Sequence, residues 1–163
     1  MIEYRGIMFD RGKCELTEDI LKAIESVFFR SSSLPKDFRN FLLAVNGGVP
    51  NRQHIDFIEK DGFKNGEWIE CVLGVTSREY SNLLLYNTNY SKRIPANMIC
   101  ITRNCGANLM LLSIVGKDRG NIYFWNHDTE ANNGEIPNYD NLTLIANSFD
   151  EFLSKLYSEN EAH

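Results

Sequence analysis

The sequence has no apolar run long enough to cross a membrane. A membrane-spanning helix needs about 20 consecutive apolar residues, whereas the longest apolar patch, at residues 108–115, has the length of a strand and is interrupted by polar residues. The first 16 residues mix acidic and basic side chains and contain no apolar segment of signal-peptide length. We therefore expect a cytoplasmic protein that does not bind membranes.

The sequence has only four cysteines, which are Cys14, Cys71, Cys100 and Cys105. Cys100 and Cys105 are not spaced like the Cys-x-x-Cys of a zinc site, and thiols in the cytoplasm stay reduced. We therefore predict no disulfide framework, and we interpret the cysteines as buried free thiols that pack as small apolar side chains.

Histidine is scarcer still, with three residues. His127 is followed by Asp128 and Glu130, but no second histidine lies at the spacing of a helical zinc motif. Nothing around Cys105 in the sequence would activate a pair of Cys105 with His127. The sequence therefore predicts no metal, no cofactor and no catalytic residue, and a protein that is not an enzyme.

Acidic residues outnumber basic ones mainly at one end of the chain. The net charge is −5, but residues 126–163 contain eight acids and one base, whereas the first 125 residues contain 14 acids and 16 bases. An acidic quarter argues against direct binding to nucleic acid, which requires a cationic surface. It would suit a basic protein partner, and the alternative is a solvated segment that only aids solubility.

Length and composition predict a single domain. The chain has 163 residues, of which 43% are hydrophobic, so residues 1–163 can bury a core without disulfides or metals. No internal repeat or low-complexity segment divides the chain.

Four helices are predicted from their caps and from apolar residues that recur at helical spacing. Thr17, Ser77 and either Ser148 or Asn147 are predicted N-caps, and Pro35 is the predicted first residue of the second helix. The last helix carries apolar residues as far as Tyr157. The serines at 31–33 are expected to separate the first two helices. Asn46, Gly47 and Gly48 can adopt the left-handed backbone that ends a helix. The alternative for this motif is a turn that presents backbone groups beside a binding cleft.

Short segments with the pattern of strands fill the rest of the chain. The predicted strands are residues 55–58, 68–73, 98–102, 109–114, 122–125 and 142–145. Polar links with glycine, such as residues 116–121, favour hairpins and hence a β-meander. The predicted fold class is α+β, with a mainly antiparallel sheet of about five to six strands, helices at the N- and C-terminal ends and one inserted helix.

Four stretches, in order, form a recognisable signature. The first contains Leu34 and Pro35, a short helix with Phe38, Phe41 and Leu42, and the terminal Asn46, Gly47 and Gly48. The other three contain Gly106 and Asn108, then Trp125 and His127, then Phe149 and Phe152 of the last helix. Together, over residues 15–157, they resemble the SUKH superfamily, which includes Smi/Knr-type fungal regulators of cell-wall assembly and bacterial immunity proteins. Asn126 departs from this pattern, because an aspartate is frequent there in the family.

The resemblance implies a protein-binding module without catalytic activity. Single-domain bacterial members are similar to immunity proteins that neutralise polymorphic toxins, often nucleases, by binding them. The expected partner is therefore a toxin domain encoded nearby. The alternative that the resemblance leaves open is a regulatory scaffold with an endogenous partner.

The acidic C-terminal quarter supplies the candidate partner-binding residues. They are the acids Asp128, Glu130, Glu135 and Asp140, with the neighbouring aromatic residues Tyr123, Trp125 and Tyr139. Acids on one face could occupy a cationic cleft of a toxin in place of phosphates. Trp68 and Trp125 are expected to be core residues, although tryptophan is enriched at binding hot spots. The residues of the four family motifs are expected to be structural.

Overall fold

A computed structural model describes residues 1–11, 15–29 and 33–161, which form ten strands and four α-helices. The strands are β1 (Ile2–Tyr4), β2 (Ile7–Asp10), β3 (Val49–Pro50), β4 (His54–Ile58), β5 (Lys64–Val72), β6 (Met98–Cys100), β7 (Thr102–Asn104), β8 (Leu109–Ser113), β9 (Ile122–Trp125) and β10 (Leu142–Ala146). The helices are α1 (Glu18–Phe28), α2 (Lys36–Ala44), α3 (Leu83–Asn89) and α4 (Phe149–Ser154). The predicted α+β class is confirmed. None of the helices in the described ranges combines the length and apolar character that crossing a lipid bilayer requires.

The strands pair antiparallel in three small sheets, not in one. The sheet orders are β1-β2-β3, β4-β5-β7 and β10-β9-β8-β6. The last of these contains the predicted meander. The predicted strand 98–102 divides at Ile101, because Cys100 pairs with Leu111 of β8 whereas Thr102 pairs with Val72 of β5. A single bent segment therefore belongs to two sheets, and sequence periodicity alone does not show such a bend.

Local capping explains where most helices begin and end. Thr17 and Ser148 are N-caps as predicted, and their hydroxyls accept hydrogen bonds from the backbone N–H groups three residues later. Helix α3, however, is capped by Asn82, whose Oδ1 accepts from two backbone N–H groups. The prediction of Ser77 was wrong, because the asparagine lies directly before the helical residues. The predicted break at residues 31–33 lies mostly outside the described residues.

Two further boundaries differ from the prediction. Helix α4 ends at Ser154, and Tyr157 instead pairs with His54 in an isolated antiparallel bridge. The hairpin of β1 and β2 was not predicted. Its two-residue turn has positive φ angles at Arg5 (53°) and Gly6 (78°), a conformation in which asparagine usually precedes glycine. Because Arg5 occupies the position where asparagine is usual, the residues themselves did not indicate a turn.

The core joins the first and last family motifs. Phe38 and Phe41 of α2 contact Phe149 of α4, with ring centroids 5.0 and 4.9 Å apart. Phe149 also contacts Phe152 within its own helix. All four rings are buried, as are Leu34 and Leu42. Aromatic pairs in these geometries stabilise a core beyond the area they bury.

The turn after α2 is closely packed against a second segment of the chain. Asn46 and Gly47 have φ angles of 61° and 82°, which confirms the predicted left-handed end of the helix. The side-chain amide of Asn46 donates to the carbonyl of Val75 and accepts from its N–H, both at 2.8 Å. A Cβ atom on Gly74 would lie 2.2 Å from the carbonyl oxygen of Asn46. The turn thus needs glycine at 74 as well as at 47.

Candidate partner-binding surface

The connection between β9 and β10, residues 126–141, forms part of the wall of an open groove and is called the acidic loop below. The groove has a volume of about 860 Å³ and is also lined by Lys92 and Arg93, which precede β6 in the chain. Asp128, Glu130 and Glu135 of the acidic loop all line it. The fold therefore brings three of the four predicted acids together.

The beginning of the acidic loop is held by a network of buried and half-buried polar side chains. Oδ1 of Asn108 accepts from the backbone N–H of His127 at 3.0 Å and lies 2.6 Å from Nδ1 of its ring. The amide of Asn108 donates in turn to Glu67, which also accepts from Asn104. Burial raises the pKa of Glu67, against the opposing effect of these hydrogen bonds. Asn108 and His127 of the family motifs are thus both members of this network.

The middle of the acidic loop is held by Arg93. Its guanidinium donates to both carboxylate oxygens of Glu130, at 3.0 and 2.7 Å. The same guanidinium lies over the rings of Tyr90 and Trp125, 4.6 and 5.5 Å from their centroids. A bidentate ion pair with a stacked arginine is among the more rigid polar contacts in proteins. Glu130 is therefore already paired within the chain.

A tight turn at residues 132–135 follows this ion pair. The N–H of Glu135 donates to the carbonyl of Asn132 at 2.9 Å. The carboxylate of Glu135 accepts in return from the backbone and side chain of Asn132. Gly134, with a φ of 88°, supplies the left-handed residue that the turn requires. Ile136 and Pro137 come directly after this turn and also line the groove.

The end of the acidic loop is held by Asp118 from the β8–β9 turn. The hydroxyls of Tyr123 and Tyr139 both donate to Oδ2 of Asp118, at 2.8 and 2.6 Å. Ser113 donates to its other oxygen at 2.7 Å. Burial would raise the pKa of Asp118, but these three hydrogen bonds outweigh burial and lower the pKa. Burial, together with the bond to Asp118, raises the pKa of Tyr139 to about 12.

The remaining predicted residues do not form one face with the three acids. Asp140 lies in the turn beyond Tyr139 and does not line the groove. Tyr123 and Tyr139 are half-buried and donate to Asp118, and Trp125 is 1% exposed beneath Arg93. The indole of Trp68, expected in the core, is 43% exposed beside His54, because its position on β5 points away from the packed face.

Several acids of the C-terminal quarter are paired with cations, most of which come from other parts of the chain. Their ion pairs are Glu130 with Arg93, Asp150 with Arg5, Glu151 with Lys155 and Glu161 with Arg52. The strong negative charge that the sequence suggests for residues 126–163 is therefore not one continuous surface. Asp128 and Glu135 are exposed acids of the groove, and Oδ1 of Asp128 lies 3.1 Å from Nε2 of His127.

Sequence reasoning missed Lys92, Arg93 and Ile136. Arg93 is 37 residues from its partner Glu130, and no local pattern connects the two. The cysteines also differ in part from expectation. Cys71 and Cys100 are buried, and burial raises the pKa of Cys71 to about 11, but Cys105 is exposed. Cys14 lies outside the described residues.

Comparison with known proteins supplies an independent result. Residues 15–155 match the SMI1 / KNR4 family (SUKH-1). The chain is 29% identical to the SPbeta prophage-derived uncharacterized protein YokK of Bacillus subtilis (strain 168), in an alignment that covers 88% of this chain and 76% of that relative. No solved structure matches the chain.

Proposed function

The chain belongs to the SMI1 / KNR4 family (SUKH-1), and we propose that it is an immunity protein that neutralises a polymorphic toxin by binding it. Membership supports an immunity-like or regulatory role, and the family is generally without catalytic activity. The step from this family role to a toxin as the partner is our proposal. The proposed target is a toxin encoded nearby that acts on nucleic acid.

The observation that carries the proposal is that hydrogen bonds hold the acidic loop in place at three points. It is held at its beginning by Asn108, in its middle by Arg93 and at its end by Asp118. A loop that is already ordered loses less conformational entropy when it binds, so its contacts contribute more to affinity. A structural connection between two strands of a meander would not need 16 residues held at three points.

The charge of the loop supports a cationic partner. Asp128 and Glu135 project into the groove next to the paired Glu130. Enzymes that act on nucleic acid carry cationic clefts for phosphate. Carboxylates placed in such a cleft would block it and would speed association through electrostatic steering.

The first experiment is co-expression with the products of the genes that flank this one. We expect one of these products to be lethal alone, to be tolerated with this chain, and to purify as a stable complex with it. If no flanking product is toxic or forms a complex, the immunity function is wrong. A partner recovered from native lysate that is not toxic would then favour the regulatory scaffold.

A second experiment tests the charge argument separately. The double variant Asp128→Lys with Glu135→Lys should slow association with the partner at low salt by at least about tenfold, since steered association depends on such charges. The matched control, Glu15→Lys with Glu79→Lys, changes the net charge equally at exposed sites outside the groove. Equal association rates for the two double variants would refute the role of the groove charges but not the family assignment.

A further inference from the structure

Ile136 is the most exposed large apolar side chain in the described ranges. It is 88% exposed, compared with 76% for Val27 of α1. Single exposed apolar residues are common on protein surfaces and need no explanation by themselves. Ile136 differs because of what holds it and what surrounds it.

The backbone around Ile136 is fixed on both sides. The preceding turn is closed by the reciprocal bonds between Asn132 and Glu135. The following residue is Pro137, whose ring restricts the backbone of both residues. Two residues later, Tyr139 is bound to Asp118 and Asn97. The side chain is therefore presented from an ordered segment.

The groove that Ile136 lines carries exposed negative charge. The groove that it lines contains Asp128 and Glu135 as exposed acids. Lys92 and Arg93 also line the groove, and Arg93 is already paired with Glu130. An apolar projection flanked by carboxylates is complementary to an apolar pocket whose rim is basic.

We propose that Ile136 is the apolar anchor of the interface and inserts into a pocket of the partner protein rimmed by lysine or arginine. This inference rests on the proposed function and specifies the chemistry of the partner at that same surface. Asp128 and Glu135 face the basic rim. Arg93 is a positioning residue, because it fixes Glu130 and with it the wall from which Ile136 projects.

The expected effect follows from the burial of one isoleucine. Full burial of such a side chain corresponds to a change in affinity of about 10- to 100-fold. Ile136→Ala should weaken binding by roughly that factor. Ile136→Asp should weaken it further, since it would place an unpaired carboxylate in an apolar pocket. Ile136→Leu should retain most of the affinity, because volume and apolarity are kept.

The test uses purified full-length chain and the purified product of each flanking gene, with the dissociation constant measured by titration calorimetry. The matched control is Ile20→Asp, the same chemical change at a 48% exposed site in the first turn of α1, where an acid suits the helix dipole. Thermal unfolding of every variant checks that the fold is intact. We expect the control to bind like the wild type.

The possible results separate the two proposals. Binding by the wild type and by Ile20→Asp, with loss for Ile136→Asp, supports the inference. If the wild type binds and Ile136→Asp binds as tightly, the inference is wrong and the proposed function stands. If the wild type binds neither flanking product, the proposed function fails and the inference fails with it.

Discussion

Replacing Gly74 by alanine should destabilise the protein more than replacing Gly106, although only Gly106 has a left-handed backbone. A Cβ atom on Gly74 would lie 2.2 Å from the carbonyl oxygen of Asn46 and 2.6 Å from its carbonyl carbon. A Cβ atom on Gly106 would meet nothing within 4 Å, but φ there is 96°. The two variants therefore separate steric overlap from backbone strain.

The magnitudes follow from these two mechanisms. Overpacking a closely packed site costs about 1–3 kcal/mol. At Gly74 the obstacle is backbone, so the two segments must separate and weaken both hydrogen bonds between Asn46 and Val75, each worth about 1 kcal/mol. The expected loss for Gly74→Ala is therefore about 3–5 kcal/mol. Gly106→Ala should lose only the strain of a left-handed alanine, about 1–2 kcal/mol.

Urea and thermal unfolding, followed by circular dichroism, provide the measurement. In a chain of this size 1 kcal/mol corresponds to a change of about 2–4 °C in Tm. Gly74→Ala should thus lower Tm by roughly 6–20 °C, and Gly106→Ala by roughly 2–8 °C. An equal or smaller loss for Gly74→Ala would show that the contact between the turn and residue 74 is not as close as the structure has it.

Two other predictions concern groups whose pKa is shifted. Asp118→Asn removes a carboxylate that accepts from three hydroxyls, and it should cost about 1–2 kcal/mol at pH 7, a value reduced because the site is partly solvated. Since the fold lowers the pKa of Asp118, its stabilisation is present above the unfolded pKa of about 4 and is lost as pH falls through the lower folded value. The gap between wild type and Asp118→Asn in urea unfolding should therefore close in acid, and a gap independent of pH would refute this account. Thiol labelling of the native protein, mapped by mass spectrometry, should modify the exposed Cys105 and spare Cys71 and Cys100, whose pKa values burial raises. Rapid native labelling of Cys100 would contradict its burial.

The local features of this fold could be predicted because their causes lie within a few residues. Thr17 and Ser148 cap their helices through hydrogen bonds to N–H groups three residues away. The left-handed Asn46 and Gly47 end α2, and glycine and asparagine adopt this backbone at little cost whatever surrounds them. The hairpin of β8 and β9 follows from the polar, glycine-bearing link between them.

Other features are decided only when distant segments meet. The division of a predicted strand at Ile101 depends on two partners, Leu111 and Val72, from different sheets. Arg93 pairs with Glu130, which is 37 residues away in the sequence, and the guanidinium of Arg93 lies over the buried ring of Trp125. No periodicity in the sequence encodes these contacts, because each depends on the path of the chain between its members.

The sequence by itself determined the fold class, most of the caps and the family, since these depend on local backbone preferences and on motifs in a fixed order. The tertiary structure decided which acids are already paired and which are exposed in the groove. It also decided that Ile136 projects from an ordered turn and not into the core. Side-chain exposure and ion pairing are properties of the packed surface, and they exist only after distant parts of the chain have been brought together.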